Sequence, residues 1–171
     1  MVGDCNKRGT TMKSARFAGL LSFVAGVLML VCGAFAWGIT STQLASENIT
    51  VANDAPAFAG SKVAGPLTAF YQAEAVKQHT RAASNGLTYA ELGAKVQEAR
   101  DAGETATAEQ LQATRAMVET GNFVRASLLT SVMAFGVSAL VMGAGLLFSF
   151  LGWGLYRLSA THAQETESQE A

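Results

Sequence analysis

Residues 126–156 read ASLLTSVMAFGVSALVMGAGLLFSFLGWGLY, and none of them carries a charge. This run lies between Arg125 and Arg157, and a second uncharged run lies between Arg16 and Glu47. A bilayer core about 30 Å thick is crossed by roughly 20 apolar helical residues. Both runs exceed that length. The sequence therefore predicts an all-α membrane protein with two transmembrane helices, joined by a small helical extracytoplasmic segment.

The charges that flank these runs predict the topology. Basic residues beside a span favour its cytoplasmic side, and four of them precede the first run: Lys7, Arg8, Lys13 and Arg16. Residues 41–60 contain neither Lys nor Arg. We therefore expect a multi-pass protein of the plasma membrane with both termini in the cytoplasm.

Five segments follow from this topology. They are a cytoplasmic basic arm at 1–16, transmembrane helix 1 at 17–40, an extracytoplasmic helical segment at 41–122, transmembrane helix 2 at 123–157, and a cytoplasmic polar tail at 158–171. A cleaved signal peptide is the alternative for the first span, since Ala34-Phe35-Ala36 resembles a cleavage site. The apolar stretch is longer than the usual 7–15 residues of a signal, and the second span would anchor the chain in either case.

Composition restricts the classes of partner. Of the 171 residues 50% are hydrophobic and 15% are charged, whereas soluble domains contain about 25% charged residues. The net charge of −1 provides no electrostatic basis for nucleic-acid binding. The predicted partners are the lipid bilayer and either another membrane protein or further copies of this chain. No nucleic acid is expected.

The extracytoplasmic segment contains recognisable helix signals. Pro66 suits a first helical turn, and Asn85-Gly86 suits the end of the same helix near Ser84. Thr88 and Glu91 have the spacing of a capping box, in which each side chain binds the other residue's amide. The helix behind this box is predicted to place four residues on one face: Tyr89, Leu92, Val96 and Ala99. A further helix is expected from about Thr107, and Gly121-Asn122 is expected to break or bend the chain before the second span.

Small residues one turn apart in the spans are the candidate site residues, because they let helix backbones approach closely in lipid. The helix-packing candidates are Ala18, Ser22, Gly26, Ala139, Gly143, Gly145 and Ser149. Two interpretations stay open at this point. The two spans could pack on each other as a hairpin, or these faces could pack on the helix of a partner protein.

The residue types that carry chemistry are few and scattered. His79 falls in the predicted outer segment and His162 in the cytoplasmic tail, so the membrane would keep them from sharing a metal. Between the charges that flank them, the spans contain no Asp, Glu, Lys, Arg or His side chain, and Cys32 adds only a thiol. This argues against a transporter or proton channel. Cys5 and Cys32 are expected at different depths and therefore unpaired. No catalytic residue, metal ligand or cofactor is predicted.

Several segments resemble a family of small actinobacterial two-span membrane proteins of unknown function. The similarity extends over about residues 17–157, and its most specific part is the run 123–137, FVRASLLTSVMAFGV. The other matching segments are ENITV (47–51), DAP (54–56), AG (59–60), VAGP (63–66) and TYAEL (88–92). Members are often labelled aromatic ring-opening dioxygenases. The resemblance implies a two-span fold, and the label implies a non-haem iron.

The residues do not support the label. Extradiol ring opening uses an iron held by two histidines and a carboxylate with open positions, whereas the two histidines here are predicted on opposite membrane faces. The leading hypothesis is a non-catalytic envelope interaction protein or accessory subunit of a membrane complex. The alternatives are the iron dioxygenase of the label and an extracytoplasmic sensor that signals through its spans.

Overall fold

Four helices make up most of the described chain. The computed structural model describes the backbone of residues 3–167 and the side chains of residues 16–158. The helices are α1 (Gly3–Ser46), α2 (Pro66–Ala83), α3 (Tyr89–Asp101) and α4 (Thr105–Glu167). The side chains of Lys7, Arg8, Lys13 and His162, on which part of the topology and metal predictions depended, lie outside the described residues.

Two of these helices are long and apolar enough to cross a membrane, judged by length and composition. The qualifying segments are Arg16–Ser46 of α1 and Thr105–Leu158 of α4. The all-α prediction and the two long apolar helices are confirmed. Each helix continues beyond the predicted span, and α4 contains both the last helix expected in the outer segment and the second span.

The chain divides into two compact units. The first unit consists of Met1–Gly38 and Val137–Ala171, and the second consists of Ile39–Gly136. In the first unit α1 and α4 pack antiparallel, because positions near the start of the α1 span contact positions near the end of the α4 span. Gly19, for example, contacts Gly152.

The second unit combines α2, α3, the adjoining turns of α1 and α4, and an ordered loop. Its buried apolar side chains are mostly small: Leu44, Val51, Val63, Ala69, Ala73, Ala75, Leu92, Val96, Ala99, Ala108, Val118, Leu128 and Phe135. On the predicted face of α3, Leu92, Val96 and Ala99 are buried, whereas Tyr89 is partly exposed. Alanines let α2 approach its neighbours closely, and each contributes little apolar area.

The loop between α1 and α2 is held by hydrogen bonds at several points. An isolated antiparallel bridge pairs Thr50 with Lys62. Val51 and Val63 beside it are 1% and 0% exposed, so the loop contributes two core residues. The amide of Ala52 donates to Gln72 Oε1 on α2 at 2.9 Å. The loop is thus part of the fold.

The predicted ends of α2 and the predicted start of α3 are confirmed. Asn85 and Gly86 follow α2 with φ angles of 53° and 81°, the left-handed conformation that ends many helices. At the start of α3, Thr88 Oγ1 accepts from the amide of Glu91 at 3.3 Å. In return the amide of Thr88 donates to Glu91 Oε2 at 2.8 Å. This is the reciprocal capping box that the sequence predicted.

The predicted interruption at Gly121-Asn122 is wrong in one respect, since α4 runs through both residues without a break. A Cβ atom at Gly121 would collide with the side chain of Thr80 on α2. The glycine therefore serves a close approach of α2 to α4 within the second unit. Glycine lowers helix stability by about 1 kcal/mol relative to alanine. The packing of a continuous helix outweighs this cost.

Candidate functional site

The contact between α1 and α4 in the first unit uses pairs of small residues. Cβ atoms built on Gly19, Gly26 and Gly33 would lie 2.9, 2.6 and 3.0 Å from carbonyl oxygens of α4. Such distances leave no room for a side chain. The facing pairs are Gly19 with Gly152, Gly26 with Gly145, and Gly33 with Ser138.

These pairs recur every seven residues on both helices. A seven-residue repeat keeps the same seam in contact when two helices wrap with a left-handed supercoil. All six residues are buried in the first unit. The candidates Gly26 and Gly145 belong to this seam, whereas Gly19, Gly33 and Gly152 were missed. Their signal is present in the sequence as glycines seven apart, whereas the predicted candidates share a four-residue spacing.

Two predicted serines lie beside the seam. Ser22 Oγ donates to the carbonyl of Phe148 on the other helix at 3.1 Å. Ser149 Oγ donates to the carbonyl of Gly145 within its own helix at 2.8 Å, and its oxygen lies 2.5 Å from a Cβ built on Gly26. Ser22 therefore links the two helices, while Ser149 packs against Gly26.

The remaining three candidates do not take part in this contact. Ala18, Ala139 and Gly143 are exposed. A Cβ atom at Gly143 would meet nothing within 4 Å in the described part of the chain. That these positions pack on a partner helix stays a prediction.

His79, the only histidine whose side chain is described, forms a pair with a loop carboxylate in the second unit. His79 Nε2 lies 2.7 Å from Asp54 Oδ2, and both side chains are more than half exposed. The hydrogen bond to His79 lowers the pKa of Asp54. The pair ties α2 to the loop. Among the described residues no group of three His, Cys, Asp or Glu side chains could hold a metal ion, so a two-histidine, one-carboxylate iron site is not assembled there.

A second polar cluster links α2 to α4. Glu74 Oε2 accepts from Lys77 Nζ at 3.0 Å, and Glu74 Oε1 lies 3.4 Å from Arg125 Nη2. The hydrogen bond from Lys77 is the main reason that the pKa of Glu74 is lowered, and Arg125 adds to it. The cluster was not anticipated, because residues 74 and 125 are far apart in the chain and neither belongs to a motif.

Arg115 fixes the start of α3 against α4. Its guanidinium carbon lies 4.0 Å from the centre of the Tyr89 ring, and its Nε donates to the Tyr89 carbonyl at 3.4 Å. Gly93 lets the same side chain pass, since a Cβ there would lie 3.3 Å from Arg115 Nε. This cation–π contact contributes to the packing of α3 on α4. It already engages the guanidinium of Arg115.

Comparison with protein-family models, with curated proteins and with solved structures finds no match to this chain.

Proposed function

We propose that this protein is a non-catalytic accessory subunit or interaction protein of the cell envelope. In this proposal α1 and α4 cross the plasma membrane, both termini are cytoplasmic, and the second unit acts on the extracytoplasmic side. The spans hold the protein beside a membrane-protein partner. No cofactor takes part.

The observation that supports the proposal is a second face of small residues on α4. Gly136, Ala139 and Gly143 are exposed, and Cβ atoms on the two glycines would meet nothing within 4 Å in the described chain. Gly136 and Gly143 each precede a seam position by two residues. At 3.6 residues per turn that is about 200° around the helix. The small residues therefore lie on the side of α4 that faces away from α1.

Such a face fits a partner helix better than it fits lipid. Glycine in a helix interior costs roughly 0.5–1 kcal/mol relative to alanine, and lipid chains give nothing in return. A neighbouring helix gives close backbone packing, which is the usual use of small residues one or two turns apart in membranes. The seam with α1 cannot use this face, so the partner would be another chain.

Affinity purification from the native membrane tests the proposal. Tagged wild type, an Ala139→Leu/Gly143→Leu variant and an Ala25→Leu control would be isolated in a mild detergent, and the co-purifying proteins identified by mass spectrometry. Ala25 is an exposed position of α1, so the control adds bulk of the same kind on the other helix. We expect a near-stoichiometric membrane-protein set with wild type and with the control, and its loss in the double variant.

Recovery of wild type alone, at the mass of the monomer or of a self-oligomer, would overturn the accessory-subunit proposal. The dioxygenase alternative would be supported by a different result. It needs stoichiometric iron in the purified protein that disappears in His79→Ala, and such a result would replace a non-catalytic function with an iron enzyme.

A further inference from the structure

A cavity of about 160 Å³ in the second unit is lined by basic and hydroxyl-bearing side chains. We propose that it binds a phosphate group, either as inorganic phosphate or as the headgroup phosphate of a lipid. The proposal goes beyond the function proposed above and does not require a protein partner. The polar lining residues proposed to contact the phosphate lie on α2, at the start of α3 and on α4. They are Lys77, Arg81, Thr88, Tyr89, Asn122 and Arg125.

Positive charge exceeds negative charge around this cavity. Three of the lining residues are cations: Lys77, Arg81 and Arg125. Glu74 is the carboxylate that Lys77 and Arg125 share. Glu91 stands beside the lining residue Thr88 and is held by its amide and hydroxyl. Even with both carboxylates counted, one positive charge remains.

Two of these cations, Arg81 and Arg125, have N–H donors available for a ligand. Arg81 is exposed and makes no ion pair with any described residue. Arg125 reaches Glu74 by a single contact of 3.4 Å. Its Nε is enclosed and has no hydrogen-bond partner among the described atoms. A buried donor that is left unpaired is unfavourable, and most such donors in proteins find a partner.

A tetrahedral oxyanion would satisfy these groups together. Guanidinium binds phosphate through two parallel N–H donors, and Arg125, a lining residue with an unpartnered Nε among the described atoms, would supply such a pair after reorienting its side chain. Lys77 would add a positive point charge. Arg81, which is exposed, would contact the ligand from the solvent side of the cavity. A carboxylate offers only two oxygens in one plane and would engage fewer of the three cations.

Two sources could supply this phosphate. Arg125 is the last charged residue before the uncharged run 126–156. In the proposed topology it lies at the outer edge of the bilayer, where headgroup phosphates are concentrated. Inorganic phosphate from the surrounding solution would meet the same side chains. The chemistry of recognition is common to both, so the experiment has one arm for each source.

Both arms would use the purified full-length protein. The first titrates sodium phosphate into protein in a neutral detergent and records heat by calorimetry. The second reconstitutes the protein in nanodiscs of phosphatidylcholine with phosphatidylglycerol, and counts retained phospholipids by native mass spectrometry. Arg81→Gln is the main variant, because this exposed side chain makes no ion pair with the described residues on which folding could depend. Lys62→Gln is the control, since it removes one exposed charge away from the cavity.

We expect saturable binding in at least one arm, weakened about tenfold by Arg81→Gln and changed less than about twofold by Lys62→Gln. Arg125→Lys keeps the charge but loses the planar fork, and should weaken binding by a similar factor. Saturation in the calorimetric arm assigns free phosphate, and retention only in nanodiscs assigns the lipid. Absence of saturable binding in both arms would overturn the proposal, as would equal effects of Arg81→Gln and Lys62→Gln.

Discussion

At Gly26 the missing side chain decides how closely the two apolar helices approach. A Cβ there would lie 2.5 Å from Ser149 Oγ and 2.6 Å from the carbonyl oxygen of Gly145. Backbone atoms of a helix cannot move aside independently, so the helices would have to separate. The same reasoning applies to Gly19 and Gly33, so substitutions in the glycine seam should be poorly tolerated.

Gly26→Ala should therefore destabilise the α1–α4 pair by about 1–3 kcal/mol, the usual cost of overpacking, despite alanine's better helix propensity. Gly38→Ala is the matched control in the same helix, since its Cβ would meet nothing within 4 Å in the described chain. The check is thermal unfolding of both variants in detergent. A melting temperature for Gly26→Ala equal to that of Gly38→Ala would show that the seam does not set the stability.

Glu74 is the residue from which a pH effect is expected. Hydrogen bonding to Lys77, with a smaller contribution from Arg125, lowers its pKa below the usual value of 4.5. A carboxyl whose pKa is lower in the folded state stabilises the fold above its unfolded pKa. That stabilisation is lost as the pH falls through the folded pKa. The second unit should thus lose stability on acidification below about pH 4.5.

Substitution separates this contribution from general acid sensitivity. Glu74→Gln should lower the melting temperature at pH 7 and flatten its decline between pH 5 and pH 3, as followed by circular dichroism. Glu98→Gln, at an exposed position of α3, should leave the profile unchanged. If Glu74→Gln and wild type lose stability in parallel on acidification, the cluster does not contribute through this carboxyl.

At the scale of elements, α3 depends on its cap because it is short. It has 13 residues, which is near the limit at which isolated helices form in water. The capping box at Thr88 and Glu91 satisfies amides that have no partner within the helix. The contact of Arg115 with Tyr89 then fixes the capped end against α4.

Thr88→Ala should reduce the stability of the second unit by about 1 kcal/mol, the usual effect of losing such a cap. Thr88→Ser keeps the accepting oxygen and should retain most of the stability. Hydrogen exchange of the α3 amides, measured with the melting temperature, would check both. Faster exchange spread evenly over α2 and α3, rather than concentrated at the start of α3, would contradict a local capping role.

At the scale of the whole molecule, the proposed topology predicts which residues are accessible from outside the cell. In a Cys32→Ser background, the native Cys5 should react with a membrane-impermeant maleimide only after permeabilisation. A Glu98→Cys variant that also lacks both native cysteines should react in intact cells. The labelling of each, with and without detergent, is the measurement. Labelling of Cys5 in intact cells would reverse the orientation that the basic arm predicts.

The sequence by itself determined the two long apolar helices, both ends of α2 and the start of α3, but it predicted a break at Gly121-Asn122 where α4 is continuous. Two long uncharged runs required apolar helices, and turn and cap residues marked α2 and α3, because these features depend on neighbours within a few residues. The residues of the α1–α4 seam could be predicted only in part from the sequence. Its glycines recur visibly every seven residues, but only the packed helices show which of the small-residue faces is in contact.

Tertiary structure alone decided what joins distant parts of the chain. Burial of Val51 and Val63 from a proline-containing loop, the closeness of Glu74 to Arg125, and the approach of Thr80 to Gly121 have no local signal. The last two depend on where α2 docks against α4, and the loop carrying the two valines is held to α2 by the Ala52–Gln72 hydrogen bond. The cavity follows from the same docking, because its three cations come from two helices that meet only in the folded unit.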